Sequence, residues 1–146
     1  MIWPVRNLFF LAILNGSFIF AADLMREIEL SAQISFVKLA SYVGTSSTGS
    51  VCEMIGLNVD ISGRDVVVVE DIVDSGLTMK YVTEMLAKYN PRSISICTLL
   101  LKPGNLKVDL DIPYKCFSIP NDFILGYGLD YDGYGRNTRD IYTVVE

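Results

Sequence analysis

The sequence predicts an α/β domain built on a largely parallel β-sheet. Apolar, β-branched runs alternate with segments whose apolar positions recur at helical spacing, which is typical of βαβ units. The most informative run is "VVVVEDIVDSGLT", Val66 to Thr78, where four valines lead into three acids. The valines indicate a strand buried on both faces. The 146 residues are enough for one self-sufficient core, so we expect a single domain over 1–146.

The first part of the chain is expected to run strand, helix, strand. Val5 to Leu14 is predicted as a strand. After an Asn-Gly-Ser turn, Ser17 is predicted to cap a helix from Phe18 to about Ile28. Because that helix is apolar over most of its circumference, we expect it to be largely buried. Gln33 to Tyr42 is again strand-like.

The segment "VGTSSTGS", Val43 to Ser50, is small, polar and loop-like. It could be a surface connector, or it could be a mobile lid over an active site. We expect the lid. A further strand-like piece, "VCEMIGLNV", separates it from the valine run.

The segment after Thr78 is predicted to be a helix that stops at Asn90-Pro91. Its predicted buried face consists of Met79, Val82, Met85, Leu86 and Tyr89. Two strands, "SISICTLLLK" and "YKCFSI", should follow, and then a segment rich in Gly and Tyr, "FILGYGLDYDGYGRN".

Composition excludes several classes of function. A net charge of −5 argues against a nucleic-acid partner. The chain has no histidine, which removes Ser-His and Cys-His nucleophile pairs and most zinc sites. The apolar run from Leu8 to Leu14 is too short to span a bilayer, so we expect no membrane partner. Without a CxxC motif, Cys52, Cys97 and Cys116 are expected to be buried thiols in a reducing cytoplasm.

The acids that follow the valine run suggest a ligand site, because open parallel sheets bind ligands beyond the carboxyl ends of their strands. The backbone from Asp74 to Thr78 would form a tight loop at a helix N-terminus. Its N–H groups and the hydroxyls of Ser75 and Thr78 could seat a phosphate. Glu70 and Asp71 could bind the vicinal hydroxyls of a ribose or an associated Mg²⁺. One short segment therefore fits a ribose 5-phosphate.

Other interpretations of the same acids stay open at this point. They could be solvated charges at a strand end. They could also belong to a phosphoacceptor site, which needs an early acidic pair and a late lysine. Walker-type nucleotide binding has no support, because no GxxxxGK[ST] motif occurs.

The segment from Val66 to Thr78 resembles the phosphoribosyl-pyrophosphate (PRPP) signature of the type I phosphoribosyltransferases. Four further segments resemble the hypoxanthine-guanine branch of that family, in its order and spacing. They are the pyrophosphate loop Ile13 to Ser17, the lid (Ser41-Tyr42 with Ser47 to Gly49), the lysine strand Leu99 to Pro103, and the purine and metal segment Phe123 to Asn137. The resemblance implies a mainly parallel central sheet flanked by helices, with a small purine-covering subdomain. That subdomain should be reduced here, since about one extra helix usually precedes the first strand and this chain starts almost at that strand.

The resemblance also implies a phosphate and metal site. The 5-phosphate would be seated by Asp74, Ser75, Gly76, Leu77 and Thr78. The pyrophosphate would be held by Leu14, Asn15, Gly16, Ser17 and Arg136, with a strained or cis peptide bond in the loop. Glu70 and Asp71 would hold the ribose hydroxyls with Mg²⁺ nearby, and Asp130 would ligate the Mg²⁺ that bridges the pyrophosphate. Ser41 and Tyr42 would act from the lid.

For the purine, the resemblance implies four roles. Asp74 would handle the proton on N7, Lys102 would bond the 6-oxo group, Phe123 would stack on the base, and the Ile124 backbone would read its edge. The expected reaction transfers the phosphoribosyl group of PRPP to N9 of hypoxanthine, guanine or both, giving IMP or GMP and pyrophosphate.

Two alternatives to this function remain. One is a nucleotide-sensing regulator with the same fold, and it would need a basic face that this acidic chain lacks. The other is a sister transferase that uses another 6-oxopurine such as xanthine. The resemblance further implies a homo-oligomer, either a dimer or a tetramer.

Overall fold

The computed structural model describes residues 7–43 and 50–145, with side chains described for 7–40 and 53–145. In chain order the elements are β1 (Leu8–Leu14), α1 (Phe18–Glu27), β2 (Gln33–Val43), β3 (Ser50–Ile55), β4 (Asp65–Val73), α2 (Leu77–Ala87), β5 (Ser93–Leu101), β6 (Tyr114–Ser118), β7 (Ile124–Leu125) and β8 (Tyr142–Thr143). A 3₁₀ turn at Pro103–Asn105 follows β5.

The described strands β1 to β6 form one sheet in the order β3-β2-β1-β4-β5-β6. Every neighbouring pair is parallel except β2 and β3, which are antiparallel. The α/β fold with a mostly parallel central sheet is therefore confirmed. The strand that was predicted to start at Val5 begins at Leu8 in the described residues, and Val5 itself lies outside them.

The strand pattern gives the sheet two buried faces. In β1, Phe9 and Leu11 belong to one apolar core, whereas Phe10 and Ala12 belong to the other, because successive side chains of a strand point to opposite faces. The first core is covered by α2 through Met79, Val82 and Leu86, and the second by α1 through Phe20 and Ala21. A sheet covered on both sides explains the continuous apolar runs of β1, β4 and β5.

Helix α1 has the predicted bounds but not the predicted environment. Of its residues only Phe20 and Ala21 are buried, and Phe18 is 42% exposed. The expectation of a largely buried helix is therefore wrong in the described protein, since only one side of the helix faces the sheet. The capping prediction is also wrong in detail. Ser17 occupies the N-cap position, but its hydroxyl donates to the carbonyl of Ile13 and makes no side-chain cap.

Helix α2 confirms the predicted position and most of the predicted face. Met79, Val82 and Leu86 are buried, but Tyr89 is 49% exposed because the helix ends at Ala87. The small sheet of β7 and β8 was not predicted at all, since two-residue strands leave no periodic pattern. Within the described ranges, no helix is long and apolar enough to span a membrane.

The thiols differ from expectation at the sheet edge. Cys97 lies in β5 and is buried, and burial, with a smaller contribution from Cys116, raises the pKa of its thiol to about 11. Cys116 is exposed on β6, whose five residues are all exposed. The prediction of a buried thiol is therefore wrong for Cys116, because a short edge strand is uncovered on both faces. The side chain of Cys52 is not described.

Candidate active site

The register of β4 and β5 brings an acid and a lysine together at the carboxyl edge of the sheet. Val73 is paired with Leu101, so the next residues, Asp74 and Lys102, leave the sheet side by side. The Lys102 backbone N–H donates to the carbonyl of Val73 at 2.9 Å. The Nζ of Lys102 lies 3.4 Å from Oδ2 of Asp74, with the lysine buried and the aspartate half exposed. Residues that are 28 positions apart in sequence thus form one ion pair.

A third residue completes this group. Asn105, in the 3₁₀ turn after Lys102, donates from Nδ2 to Oδ1 of Asp74 at 2.7 Å. Each carboxylate oxygen of Asp74 therefore has its own donor. Sequence reasoning missed Asn105, and the one available signal was a polar side chain in the tight "KPGN" turn directly after Lys102.

Most of the predicted purine and metal residues line one cavity of about 220 Å³, whereas the predicted metal residue Glu70 is not part of its lining. Its lining consists of Asp71, Ile72, Asp74, Lys102, Phe123, Ile124, Leu129 and Asp130. All but Ile72 and Leu129 were predicted from the sequence. Three distant segments of the chain therefore converge on one small polar space at the edge of the sheet.

A larger and mainly apolar cavity of about 480 Å³ lies against α1, β6 and the C-terminal segment. Its lining includes Phe20, Leu24, Phe117, Tyr127 and Ile141. None of the described residues that were predicted as site residues lines it. The smaller cavity is the better candidate site, because it combines carboxylates, a lysine and an exposed aromatic ring.

Of the three acids after the valine run, Glu70 and Asp71 lie within β4, which extends to Val73, and Asp74 follows its end. Asp71 lines the cavity, and its Oδ1 accepts the backbone N–H of Ile72 at 2.7 Å. Glu70 is buried, and its Oε1 accepts the N–H of Asp71 at 3.0 Å. Burial raises the pKa of Glu70 well above its usual range, and the neighbouring Asp71 adds to the effect.

The predicted phosphate-binding loop from Asp74 to Thr78, here called the phosphate cradle, has the geometry of a loop that leads into a helix. Gly76 precedes α2 with a left-handed φ of 86°, and the hydroxyl of Ser75 accepts the N–H of Leu77 at 3.3 Å. Leu77 and Thr78 are exposed in the first turn. The first N–H groups of a helix have no intrahelical acceptor and carry a partial positive charge, so this turn suits an anion.

The cradle is packed from behind by the segment after the 3₁₀ turn. A Cβ placed on Gly76 would lie 2.9 Å from both Leu110 Cδ1 and Val108 Cγ2. The N–H of Lys107 also donates to the carbonyl of Ser75 at 2.8 Å. The position therefore requires glycine for two reasons, its φ and the lack of space.

The predicted pyrophosphate loop joins β1 to α1 and packs against the acids. The peptide bond between Leu14 and Asn15 is cis, as the resemblance implied. A Cβ on Gly16 would fall 1.8 Å from Oδ2 of Asp71, so the carboxylate lies directly against the loop backbone. On the other side, a Cβ on Gly128 would lie 2.3 Å from the carbonyl oxygen of Gly16. This loop is thus in close contact both with β4 and with the segment that carries Asp130.

Asp130 and Arg136 pair within that segment. Arg136 Nη2 lies 3.4 Å from Oδ1 of Asp130, and Nη1 donates to the carbonyl of Gly128 at 2.7 Å. The other oxygen of Asp130 accepts the N–H of Gly133 at 2.9 Å. The predicted metal ligand and the predicted pyrophosphate-binding cation are therefore neighbours.

Phe123 is 63% exposed at the mouth of the cavity. Its ring meets Tyr131 edge to face, with centroids 5.7 Å apart and an interplanar angle of 88°. An exposed aromatic face that is fixed by a neighbouring ring is suited to stacking on a flat base. Tyr127, in the same segment, bonds to Asp23 of α1, and burial together with that carboxylate raises its pKa to about 12.

The donor set fits the implied Mg²⁺, which in phosphate-handling sites is held by one or two carboxylates together with substrate oxygens and water. Asp71 and Asp130 both line the cavity. In the described part of the chain, no three His, Cys, Asp or Glu side chains form a ready-made metal site. The two carboxylates would therefore hold the ion only together with oxygens from the substrate.

Two predicted features fall wholly or partly outside the described residues. The backbone of Ser41 and Tyr42 lies in β2, paired with Cys52 and Val51, but their side chains are not described. Residues 44–49, which make up most of the predicted lid, are also outside. The lid stays a prediction.

The fold and this site together define a class of protein, the α/β enzymes that bind a phosphorylated sugar at the carboxyl edge of a parallel sheet. A family model described as "Phosphoribosyl transferase domain" matches residues 4–132. The chain belongs to the phosphoribosyltransferase family, and it is similar to hypoxanthine and hypoxanthine-guanine phosphoribosyltransferases.

Three relatives illustrate the similarity. The hypoxanthine-guanine phosphoribosyltransferase of Mycobacterium tuberculosis is 44% identical over 140 residues, covering 95% of this chain and 69% of the relative. The hypoxanthine phosphoribosyltransferase of Escherichia coli is 46% identical over 120 residues, covering 82% of this chain and 67% of the relative. A crystal structure of a hypoxanthine-guanine phosphoribosyltransferase from Bacillus anthracis superposes with a TM-score of 0.87 at 40% identity, covering 96% of this chain and 82% of that one.

Proposed function

We propose that this chain transfers the 5-phosphoribosyl group of PRPP to N9 of hypoxanthine, guanine or both, and so acts in purine salvage. The observation that carries the proposal is the single cavity that joins Asp74, Lys102 and Phe123 to Asp71 and Asp130. The named activities of the relatives support the same assignment.

On the purine side, the Lys102 ammonium would donate to the 6-oxo group, and the ring of Phe123 would stack on the base. The Ile124 backbone would read the edge of the purine. As N9 bonds to C1 of the ribose, the C1–O bond to pyrophosphate breaks and the proton on N7 passes to the carboxylate of Asp74. A carboxylate is a suitable acceptor in a chain without histidine.

On the sugar-phosphate side, the backbone N–H groups and hydroxyls between Asp74 and Thr78 would hold the 5-phosphate. Glu70 and Asp71 would bond the ribose hydroxyls, and the charge of Asp71 would stabilise the positive ribose centre as the leaving group departs. Arg136 and the loop from Leu14 to Ser17 would hold the pyrophosphate. Asp71 and Asp130 would hold Mg²⁺ together with substrate oxygens, and the ion would supply positive charge that stabilises the departing pyrophosphate.

Product analysis tests the proposal. The protein is incubated with PRPP, Mg²⁺ and one base at a time (hypoxanthine, guanine, xanthine or adenine), and nucleotides are separated by chromatography. IMP or GMP, together with an equal amount of pyrophosphate, is the expected result. If no base yields a nucleotide, the proposal is overturned. If XMP is the only product, the chain is instead a sister transferase that uses xanthine. The same protein without Mg²⁺ serves as the control for the metal and is expected to be inactive.

We also propose that the chain acts as a homo-oligomer in the cytoplasm. The exposed apolar side chains Phe18, Tyr114 and Phe117 support burial between subunits. Light scattering after size-exclusion chromatography distinguishes monomer, dimer and tetramer. A monomer at all concentrations would contradict the oligomer.

A further inference from the structure

The carboxylate of Asp74 is held by two donors of different kinds. Lys102 approaches Oδ2 with a full charge at 3.4 Å, whereas Asn105 approaches Oδ1 with a neutral amide at 2.7 Å. An ionised carboxylate only accepts hydrogen bonds, so the side of Asn105 that faces it must be its NH₂ group. Asn105 makes the shorter contact, although the proposed function gives this residue no role.

The two donors cannot keep the same task when a purine binds. Under the proposed function, Lys102 turns its ammonium toward the 6-oxo group, and its long contact with Asp74 weakens. Within the described residues, the side chain of Asn105 makes no other hydrogen bond. It therefore keeps its hydrogen bond to Asp74. The orientation of Asp74 at the moment of proton transfer then depends on Asn105.

The local backbone fixes Asn105 in place. It ends the 3₁₀ turn that begins at Pro103, and its own N–H donates to the carbonyl of Lys102 at 3.1 Å. Because the turn follows directly from β5, whose register with β4 sets Asp74, the amide and the carboxylate belong to one rigid unit. Groups held in this way need little reorganisation during the reaction.

A neutral donor is also the right chemistry for a group that must gain a proton. A second cation beside Asp74 would stabilise the ionised form so strongly that the carboxylate would accept the N7 proton poorly. An amide orients the carboxylate and favours its ionised form only moderately.

We propose that Asn105 is a positioning residue, which fixes the Asp74 carboxylate through the Nδ2···Oδ1 hydrogen bond and keeps it ionised and aimed at the purine when Lys102 moves to the base. This inference rests on the proposed function and goes beyond it by assigning a residue that acts on the base through Asp74.

The first test compares Asn105→Ala with the wild-type protein. Loss of one charge-assisted hydrogen bond is expected to lower kcat by about 3- to 30-fold with the KM for PRPP unchanged. The acid limb of the pH profile of kcat/KM should move to higher pH, because the ionised carboxylate has lost a donor. Asn105→Asp should move that limb further, and added salt should reduce the extra shift.

Asn121→Ala is the matched control, since this exposed asparagine lies beside Gly104 of the same turn, with its Oδ1 3.4 Å from a Cβ placed there. It should leave kcat and the pH profile unchanged. If Asn105 merely holds the turn, Asn105→Ala will lower the melting temperature and raise the KM for the base without moving the acid limb. That result would overturn the inference.

A double-mutant cycle separates action through Asp74 from independent action. In an Asp74→Asn background, Asn105→Ala should lower kcat no further, because the carboxylate that it positions is gone. Additive losses would contradict the proposal.

Carboxyl-carbon NMR of Asp74 gives a readout that does not need activity. Its titration midpoint should move to higher pH in Asn105→Ala and stay in place in Asn121→Ala. A wild-type protein that turns over no base while the midpoint still moves would overturn the proposed function alone. An unmoved midpoint would overturn the inference even in an active enzyme.

Discussion

At the scale of single residues, the site depends on a few side chains whose charges are balanced against each other. Lys102 is buried next to a half-exposed Asp74, and Arg136 stands beside Asp130. Both members of each pair have a proposed role toward the substrate or its Mg²⁺, so substrate binding must rearrange the pair. The acids and cations are thus prepaired before any ligand arrives.

Asp74→Asn should keep the fold and lower turnover by roughly 10²- to 10⁴-fold, which is the usual contribution of a general acid or base. Asparagine preserves the shape and can still meet Lys102, but it cannot accept the N7 proton. Steady-state kinetics measure the loss of turnover, and circular dichroism checks that the variant is folded. Near-normal turnover in a folded variant would remove Asp74 from its role.

Lys102 should set the choice of base. An ammonium donates to an oxo group but cannot accept from an amino group, so adenine should have a kcat/KM lower than that of hypoxanthine by roughly 10³-fold. Competition assays with both bases measure the ratio. Lys102→Gln, whose amide oxygen can accept from an amino group, should narrow the ratio. If wild type uses both bases equally well, Lys102 does not read the purine.

At the scale of elements, the parallel strands and their register explain why the site lies where it does. The positions of the acids in β4 and of the lysine after β5 could be predicted. Runs of β-branched residues indicate buried strands, and the carboxyl ends of parallel strands lie at one edge of the sheet. Asn105 and the small sheet of β7 and β8 could not be predicted. Their positions depend on turns and two-residue pairings that leave no periodic pattern in the sequence. The burial of α1 was overestimated for a related reason, since apolar content does not reveal which side meets the sheet.

Gly76→Ala should weaken the junction between β4 and α2. A methyl group there meets a left-handed φ and the side chains of Leu110 and Val108, at a cost of about 2 kcal/mol, and it should raise the KM for PRPP. Chemical denaturation and PRPP kinetics measure both effects.

Gly63→Ala is the matched control for that variant. Its φ of 72° is also left-handed, but no atom lies within 4 Å of the added Cβ. It should cost about 1 kcal/mol through backbone conformation alone and leave the KM for PRPP unchanged. Equal effects of both variants on the KM would show that crowding at the cradle is unimportant.

At the scale of the whole molecule, the two ends of the sheet differ in their task. The amino end carries Asp65 of β4, which is buried and bonded to the guanidinium of Arg92 and to the hydroxyl of Ser93. These partners, Arg92 above all, lower the pKa of Asp65. The carboxyl end carries the candidate active site. Asp65 therefore stabilises the fold at the amino end of the sheet, whereas the candidate catalytic residues lie at its carboxyl end.

Asp65→Asn should lower the free energy of unfolding near neutral pH by about 1–3 kcal/mol, because the buried bonds of the ionised carboxylate to Arg92 and Ser93 are weakened. Since the folded-state pKa is lowered, this stabilisation is present above the ordinary carboxyl pKa. It is lost as the pH falls through the folded-state value. The difference between variant and wild type should therefore shrink in acid. Urea denaturation from neutral to acidic pH measures it, with the exposed Asp111→Asn as the control, and a difference independent of pH would contradict the assignment.

The contact of Gly16 with Asp71 on one side and Gly128 on the other has a practical meaning for protein engineering. A library that randomises the β1–α1 loop to change leaving-group preference would fail mostly at this position, because any side chain displaces the carboxylate. The same contact links three segments, so changes at Gly16 should be screened together with compensating changes at Asp71.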